Sequence, residues 1–246
     1  MKRKVRLAVL GIGILFLLAD TKYRFIKAGL DRWAIRRVQF LVQESEEFKN
    51  RWLGVGVIQY PSDLMAYSDL ICQIRPEVII ETGTNYGGLA VFFATLLEKV
   101  NPKGTVITVD ISSEKWLGTT TSGTVNPELL AKIVFIQGDS VSEATIEKIR
   151  KLAGDKKGLV ILDSLHTREH VLKEMKLYSR FVAPNSYLIV NDTHLEIMGI
   201  AEHGSGNGPL TAVRQFLESN SQFAIDLEYP RSVISCAPSG FLKRIK

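Results

Sequence analysis

Cysteine is scarce. The 246 residues contain two, Cys72 and Cys236, too few and too far apart for a disulfide framework or a structural zinc site. Stability must come from a packed core, which a composition of 46% hydrophobic and 23% charged residues supplies, and the same figures exclude wholesale disorder. Nineteen Gly and eight Pro follow no period, which removes collagen-like and repeat architectures. The dinucleotide fingerprint G-x-G-x-x-G is missing as well. The net charge of +5 is not spread evenly. Ten of the 31 Lys and Arg, against two of the 26 Asp and Glu, fall in residues 1–37, a local balance of +8 that leaves −3 for the remainder. The body is therefore not a basic nucleic-acid binder.

The charged start is joined to an apolar run. Lys2, Arg3, Lys4 and Arg6 precede Leu7 to Ala19, and a second basic stretch follows with Lys22, Arg24, Lys27, Arg32, Arg36 and Arg37. Thirteen residues of helix extend about 20 Å, short of the roughly 30 Å hydrocarbon core. Leu17-Leu18-Ala19 is a poor cleavage site for a secretory signal. Residues 1–50 are thus expected to form a helical extension that anchors to, or lies on, a membrane surface, since Lys and Arg beside an apolar helix are attracted to anionic headgroups. A cleaved signal and an ordinary buried helix are the alternatives, the latter leaving a cytoplasmic protein.

From Arg75 onward, short apolar runs each lead to an acidic residue: Val78 to Ile80 to Glu81, Thr105 to Val109 to Asp110, Ile133 to Gln137 to Asp139, Leu159 to Leu162 to Asp163, and Tyr187 to Val190 to Asp192. Continuous runs of this length suit strands covered on both faces. Between them lie helical periodicities, Leu89 to Val100 and Val171 to Val182, the latter with Thr167 as N-cap. Alternation of this kind predicts an α/β fold with a doubly wound, mostly parallel sheet over residues 51–246. A helix at Leu210 to Ser219 and strands at Phe223 to Leu227 and Val233 to Ala237 complete it. Ligands of such sheets bind beyond the carboxyl ends of the strands, where the acidic residues fall.

Two constellations carry chemistry. The first is Glu81-Thr82-Gly83-Thr84-Asn85-Tyr86-Gly87-Gly88, a strand-to-helix turn that permits close backbone approach to a ligand. Glu81 there would repel a pyrophosphate but suits an amino or sulfonium cation. Asp110 can accept both hydroxyls of a ribose, and Asp139 is placed for an adenine amino group. These acidic ends fit S-adenosylmethionine better than NAD. The second is Asp163-Ser164-Leu165-His166 with Asn191-Asp192-Thr193-His194. Asp163 and Asp192 end consecutive strands, which usually neighbour each other. Two facing carboxylates raise a pKa or demand a cation, and oxygens from Asp163, Asp192 and Asn191 suit Mg²⁺. His166 is the expected general base, removing the proton of a metal-bound alcohol. Its plain alternative is a loop residue bonded to a carboxylate. His170 is expected to be structural, His203 contributes at most a weak substrate contact, and His194 stands between. The string His166 to His170 also spells H-x-x-E-H, but it follows a strand rather than lying within a helix, which argues against a zinc protease.

These residues resemble the cephalosporin hydroxylase-like family, whose members are largely S-adenosylmethionine-dependent O-methyltransferases acting on sugars, macrolide sugars and glycolipids. The similar stretches are Trp52-Leu53-Gly54, Pro61-Ser62-Asp63-Leu64, residues 79–88 (IIETGTNYGG), 109–111 (VDI), 161–178 (ILDSLHTREHVLKEMKLY), 186–193 (SYLIVNDT), 208–217 (GPLTAVRQFL) and 238–244 (PSGFLKR), spread over Trp52 to Lys246. The resemblance implies a seven-stranded, Rossmann-like class I methyltransferase. Glu81, Gly83, Tyr86, Gly87, Asp110, Asp139, Ser140 and Asp163 would line the cofactor site, Asp163, Asn191 and Asp192 would hold Mg²⁺, and His166 would be the base. Residue 191 is Asn where the family often has an acid, which lowers the negative charge of the site. The expected partners are a small-molecule or lipid-linked sugar and a membrane surface, with room for a homo-oligomer. The rival readings are a hydroxylase on the same fold and a non-catalytic S-adenosylmethionine-binding module.

Overall fold

In the computed structural model the described residues are 37, 49–116, 125–198, 206–232 and 234–246. The expected membrane segment, Leu7 to Ala19 with its flanking charges as far as Arg36, and His203 lie outside them. No helix among the described residues is long and apolar enough to cross a membrane.

An antiparallel hairpin comes first, β1 (Lys49–Trp52) and β2 (Val55–Ile58). Its two-residue turn, Leu53 and Gly54, has both φ angles positive, the geometry that matches the twist of paired strands. Helix α1 (Pro61–Ile74) starts on a proline whose missing N–H would be unsatisfied there anyway. Then strand and helix alternate: β3 (Val78–Thr82), α2 (Gly88–Val100), β4 (Thr105–Asp110), the short α3 (Pro127–Leu130), β5 (Ile133–Gln137), α4 (Glu143–Ala153), β6 (Gly158–Leu162), α5 (Arg168–Tyr178), β7 (Tyr187–Val190), α6 (Thr193–Met198), α7 (Pro209–Ser219), β8 (Phe223–Ile225) and β9 (Phe241–Arg244).

Seven strands form one sheet in the order β5-β4-β3-β6-β7-β9-β8, all running the same way except β9, which is antiparallel to both of its neighbours. The central strands are buried at every position, with alternate side chains on opposite faces of the sheet. Val78, Ile80, Val160, Leu162, Leu188 and Val190 pack with Ile146, Ile149, Met175 and Phe216 of α4, α5 and α7. Ile79, Leu159, Ile161 and Ile189 pack with Tyr67, Leu70, Phe93 and Leu97 of α1 and α2. This two-residue period puts a core on each face of the sheet, and each buried aliphatic side chain contributes about 1.5–3 kcal/mol. The chain leaves β3 toward β4 in one direction and returns through β6 to β7 in the other, so the strand order switches between β3 and β6.

Two local expectations fail. Residues 234–237 are not a strand, because Asp63 of α1 takes the Ser235 hydroxyl (2.6 Å) and the Cys236 N–H (2.7 Å). A buried side chain satisfies this run in place of a ladder, and the last strand to form is Phe241–Arg244 instead. Thr167 occupies the N-cap position of α5 but makes no side-chain cap bond.

Candidate active site

The site is assembled at the carboxyl ends of five strands, whose acids run along the sheet edge as Asp139, Asp110, Glu81, Asp163 and Asp192. At the switch point, the turn after β3 touches the end of β6. Gly83 has φ of +85°, and a Cβ there would sit 1.8 Å from the Asp163 carbonyl oxygen, so only glycine fits. A Cβ on Gly87 would collide with the Trp116 ring at 2.4 Å, and that ring stacks on Phe135 at 5.1 Å. Tyr86 beside it is 37% exposed, with Lys115 Nζ 5.6 Å from its ring centre.

The turn holds its acids by different means. Asp110 accepts the Asn85 N–H on one oxygen (2.9 Å) and the Ser112 N–H on the other (3.1 Å). Each oxygen keeps a lone pair, enough for a pair of vicinal hydroxyls. Glu81 is 1% exposed and lies beneath the turn rather than on its surface. The Thr108 hydroxyl donates to its Oε2 (2.6 Å), while Oε1 is buried without a partner. Burial, against the Thr108 bond and with a small push from Asp110, raises its pKa to about 8. A bound cation would reverse that.

On the far side of β4, Asp139 is exposed and accepts the Val141 N–H (3.0 Å). Ser140 is buried and committed elsewhere: its hydroxyl meets His170 Nε2 at 3.1 Å and its carbonyl accepts from Tyr178. His170 Nε2 also lies 3.2 Å from the Ser164 hydroxyl and 3.5 Å from Glu174. The Glu174 hydrogen bond raises the His170 pKa despite burial. His170 therefore ties the loops after β5 and β6 to α5. It does not join His166 in a zinc pair, and no candidate metal cluster among the described residues contains both.

Asp163, His166 and Asp192 meet, with one donor atom from each lying within 4.8 Å of the others. His166 Nε2 is 3.0 Å from Asp192 Oδ2. Asp192 has φ of +59°, a left-handed conformation that Asp tolerates and that turns the chain from β7 into α6. Burial first, then the neighbouring Asp192 charge, push the Asp163 pKa well above the usual carboxylate range. Two residues bear on Asp163 that the sequence reading missed. Gln59, 2% exposed, donates Nε2 to Asp163 Oδ2 (2.8 Å). Tyr67 donates to Asn191 Oδ1 (2.7 Å), and the Asn191 side chain, near enough to work against the rise of the Asp163 pKa, keeps its Nδ2 buried without a hydrogen-bond partner. The expected third oxygen ligand, Asn191, thus has its oxygen on a phenol. His194 is buried, its Nδ1 on the Cys236 carbonyl (3.0 Å), and burial lowers its pKa. Asp63 sits 1 residue beyond Ser62 in the Pro61 to Leu64 stretch, and Tyr67 one helical turn farther on the same face.

A model of the family described as Rhamnosyl O-methyltransferase/CmcI matches residues 45–245. The chain belongs to the rhamnosyl O-methyltransferase/CmcI family. Within it, this member is 32% identical over 202 residues to a rhamnosyl O-methyltransferase of Mycobacterium bovis, covering 80% of this chain and 78% of that one. To the rhamnosyl O-methyltransferase of Mycobacterium leprae it is 30% identical over 200 residues, with 78% and 82% covered. A solved structure titled as CmcI-D160 with Mg and SAM matches the fold with a TM-score of 0.62 at 20% identity, covering 88% of this chain and 84% of that one. An apo CmcI-N160 structure matches at 0.63, also at 20% identity, with 82% and 78% covered.

Proposed function

We propose that this family member moves a methyl group from S-adenosylmethionine to a hydroxyl of a sugar, with Mg²⁺ held by Asp163 and Asp192. The observation that carries the reading is the convergence of Asp163, His166 and Asp192 beside the glycine turn at the switch point. The names of the relatives support methyl transfer to a sugar over hydroxylation. The residues also fit such ligands. Of the seven buried side-chain atoms without a hydrogen-bond partner among the described residues, five belong to Gln59, Glu81, Asn85, Asn191 and His194, all in the turn or around Asp163 and Asp192. Buried polar atoms normally find partners, and bound molecules would supply them here.

When bound, S-adenosylmethionine brings an electrophilic methyl on a sulfonium, and Mg²⁺ a Lewis acid that lowers the pKa of a coordinated hydroxyl. Asp110 would accept the ribose hydroxyls, and Glu81 would ionise opposite the cationic end of the donor. Asp163 and Asp192 would fix where the acceptor oxygen sits. His166 Nε2 stands 3.0 Å from Asp192 Oδ2, so that carboxylate can orient the imidazole ring. His166 would take the proton of the acceptor hydroxyl, whose oxygen would receive the methyl group that S-adenosylmethionine supplies when bound.

The geometry also favours a second role for His166, as a third ligand beside the two carboxylates. His166→Ala separates the two. As a base, it leaves calorimetric Mg²⁺ binding intact while slowing turnover by about 10²- to 10⁴-fold. As a ligand, it loses the metal. The function itself is tested by calorimetry with S-adenosylmethionine, with and without Mg²⁺, and by mass spectrometry of lipid and glycan extracts incubated with labelled methyl donor. Labelled sugar is the expected product. Cofactor binding with no metal coupling and no labelled product favours a binding module and overturns the reading. We further propose that residues 1–50 bring the domain to a membrane and that the acceptor is a lipid-linked glycan. The basic and apolar patterning of that segment supports this, and vesicle co-sedimentation with and without anionic lipid tests it: no difference removes the membrane half.

A further inference from the structure

We infer that Gln59 and Tyr67, contributed by the segment ahead of the sheet, are positioning residues for Asp163, and that Asn191 serves as their relay rather than as a metal ligand. The inference rests on the reading of Asp163 and Asp192 as the metal carboxylates. A carboxylate at the end of a strand turns about a broad, two-fold torsion, so both of its oxygens compete for one coordination position unless something distinguishes them. Gln59 does so. Its Nε2 holds Oδ2 at 2.8 Å, and at 2% exposure it has no water to exchange with. Oδ1 is left as the oxygen with which Asp163 can bind metal. The amide oxygen of Gln59, Oε1, is buried and unpartnered.

Tyr67 sets the second constraint. Its hydroxyl lies 2.7 Å from Asn191 Oδ1 in a fully buried contact. Turning the Asn191 amide over would set its oxygen against Asp163, acceptor against acceptor, and leave the phenol without its acceptor. The phenol thus fixes the amide with Nδ2 toward Asp163. This nitrogen is buried without a hydrogen-bond partner as the chain stands, and Asp163 would become its acceptor on settling into a metal-bound position. An oxygen already engaged by Tyr67 and belonging to a neutral amide is a poor ligand for Mg²⁺, which prefers carboxylates. Partners of this kind tune metal affinity by about 10- to 100-fold.

The experiment is calorimetric titration of Mg²⁺ into the full chain saturated with S-adenosylhomocysteine, with the affinity for S-adenosylhomocysteine measured alone as the control that a purely structural defect would move. Tyr67→Phe and Gln59→Leu are each expected to weaken Mg²⁺ about 10-fold and to change S-adenosylhomocysteine affinity less than about twofold. If Gln59→Leu does not fold, Gln59→Met, closer in length, replaces it. Asn191→Ala should cost about what Tyr67→Phe costs, and the double variant little more, because the two act on Asp163 as a unit. Wild-type Mg²⁺ affinity in Tyr67→Phe and in the Gln59 variant overturns the inference. So does a loss above about 100-fold in Asn191→Ala with none in Tyr67→Phe, which would make Asn191 a ligand. Failure of the wild type to bind Mg²⁺ is a different result, and overturns the proposed function first.

Discussion

The two ends of the sheet hold their polar groups in opposite ways. At the carboxyl ends, Gln59, Glu81, Asn85, Asn191 and His194 each bury an atom without a partner, and two carboxylates face each other. At the amino ends, a hollow of about 450 Å³ is lined by Lys156, Lys157, Arg180 and Arg244. Four cations gather there beside Glu77 and Asp155, yet those cations are satisfied. Lys156 Nζ reaches the Leu152 carbonyl (2.9 Å), Lys157 Nζ the Ile74 carbonyl, Arg180 Nε the Leu177 carbonyl (2.9 Å) and Arg244 the Val182 carbonyl (2.6 Å). The first three carbonyls belong to the last turns of α4, α1 and α5, the negative ends of those helices. A cation there completes a helix. What marks a site is desolvation without satisfaction, which costs stability unless a ligand makes it good, and among the described residues the carboxyl ends show it in a cluster.

The sharpest break of this contrast comes from the metal carboxylate. Asp163→Ala is expected to remove Mg²⁺ binding by calorimetry and to slow turnover by about 10³- to 10⁴-fold, the several kcal/mol that a Lewis acid supplies. Arg180→Ala at the other end should leave turnover within about twofold, since surface substitutions away from a site act weakly. Similar losses in both would erase the distinction between the ends.

A pH dependence follows from Glu81. Its folded pKa of about 8 stands above its ordinary value of 4.5, so the folded state binds the extra proton. The associated stability is present in full below the ordinary value and is lost as pH rises through about 8, by up to about 5 kcal/mol over that window. Thermal melts of the ligand-free chain should therefore fall in midpoint between pH 5 and 8.5, and Glu81→Gln should flatten that fall. Saturating S-adenosylmethionine should flatten it as well, by stabilising the ionised carboxylate. A wild-type profile no steeper than that of Glu81→Gln would mean that Glu81 is not under strain from burial.

What could be read in advance follows from how far the signal lay along the chain. The parallel strands were legible because β3, β6 and β7 are buried along their whole length and read as apolar runs, the flanking β4 and β5 keep enough of that pattern to show, and the acid that follows each run is local to it. The pairing of Asp163 with Asp192 came from strand adjacency alone. Gln59 and Tyr67 were invisible for the opposite reason: their partners are 104 and 124 positions away, and neither residue type announces a role. The run ending at Ala237 was misread because its apolar residues look like a strand, while Asp63, 172 positions earlier, takes the Ser235 hydroxyl. Ser140, expected beside Asp139 in the cofactor site, has its hydroxyl 3.1 Å from His170 Nε2, a contact across 30 positions that no local pattern announces.

Glycine gives a matched pair across the ends. Gly83 and Gly154 both have positive φ, but a Cβ on Gly83 meets the Asp163 carbonyl at 1.8 Å, whereas one on Gly154 meets nothing within 4 Å. Gly154→Ala should cost backbone strain alone, about 1–3 kcal/mol. Gly83→Ala should cost that and about 2 kcal/mol more for the forced separation of β3 from β6, together with its S-adenosylmethionine affinity. Urea denaturation of both variants measures the difference, and equal losses would show that the switch point has room to yield.

The smallest effect tests the satisfied end directly. Lys156 donates to the last turn of α4 and should be worth about 0.5 kcal/mol there, the usual value of a cation at an exposed helix C-terminus. Lys156→Ala should lose that stability and the loss should shrink in 0.5 M salt, since the interaction is exposed and screened. If the hollow were instead an anion site, phosphate would raise the melting midpoint of the wild type and not of Lys156→Ala, because a ligand that binds only the folded state stabilises it by mass action. The helix-capping account expects the same small phosphate response in both proteins, so a selective response in the wild type would make the amino ends a second site.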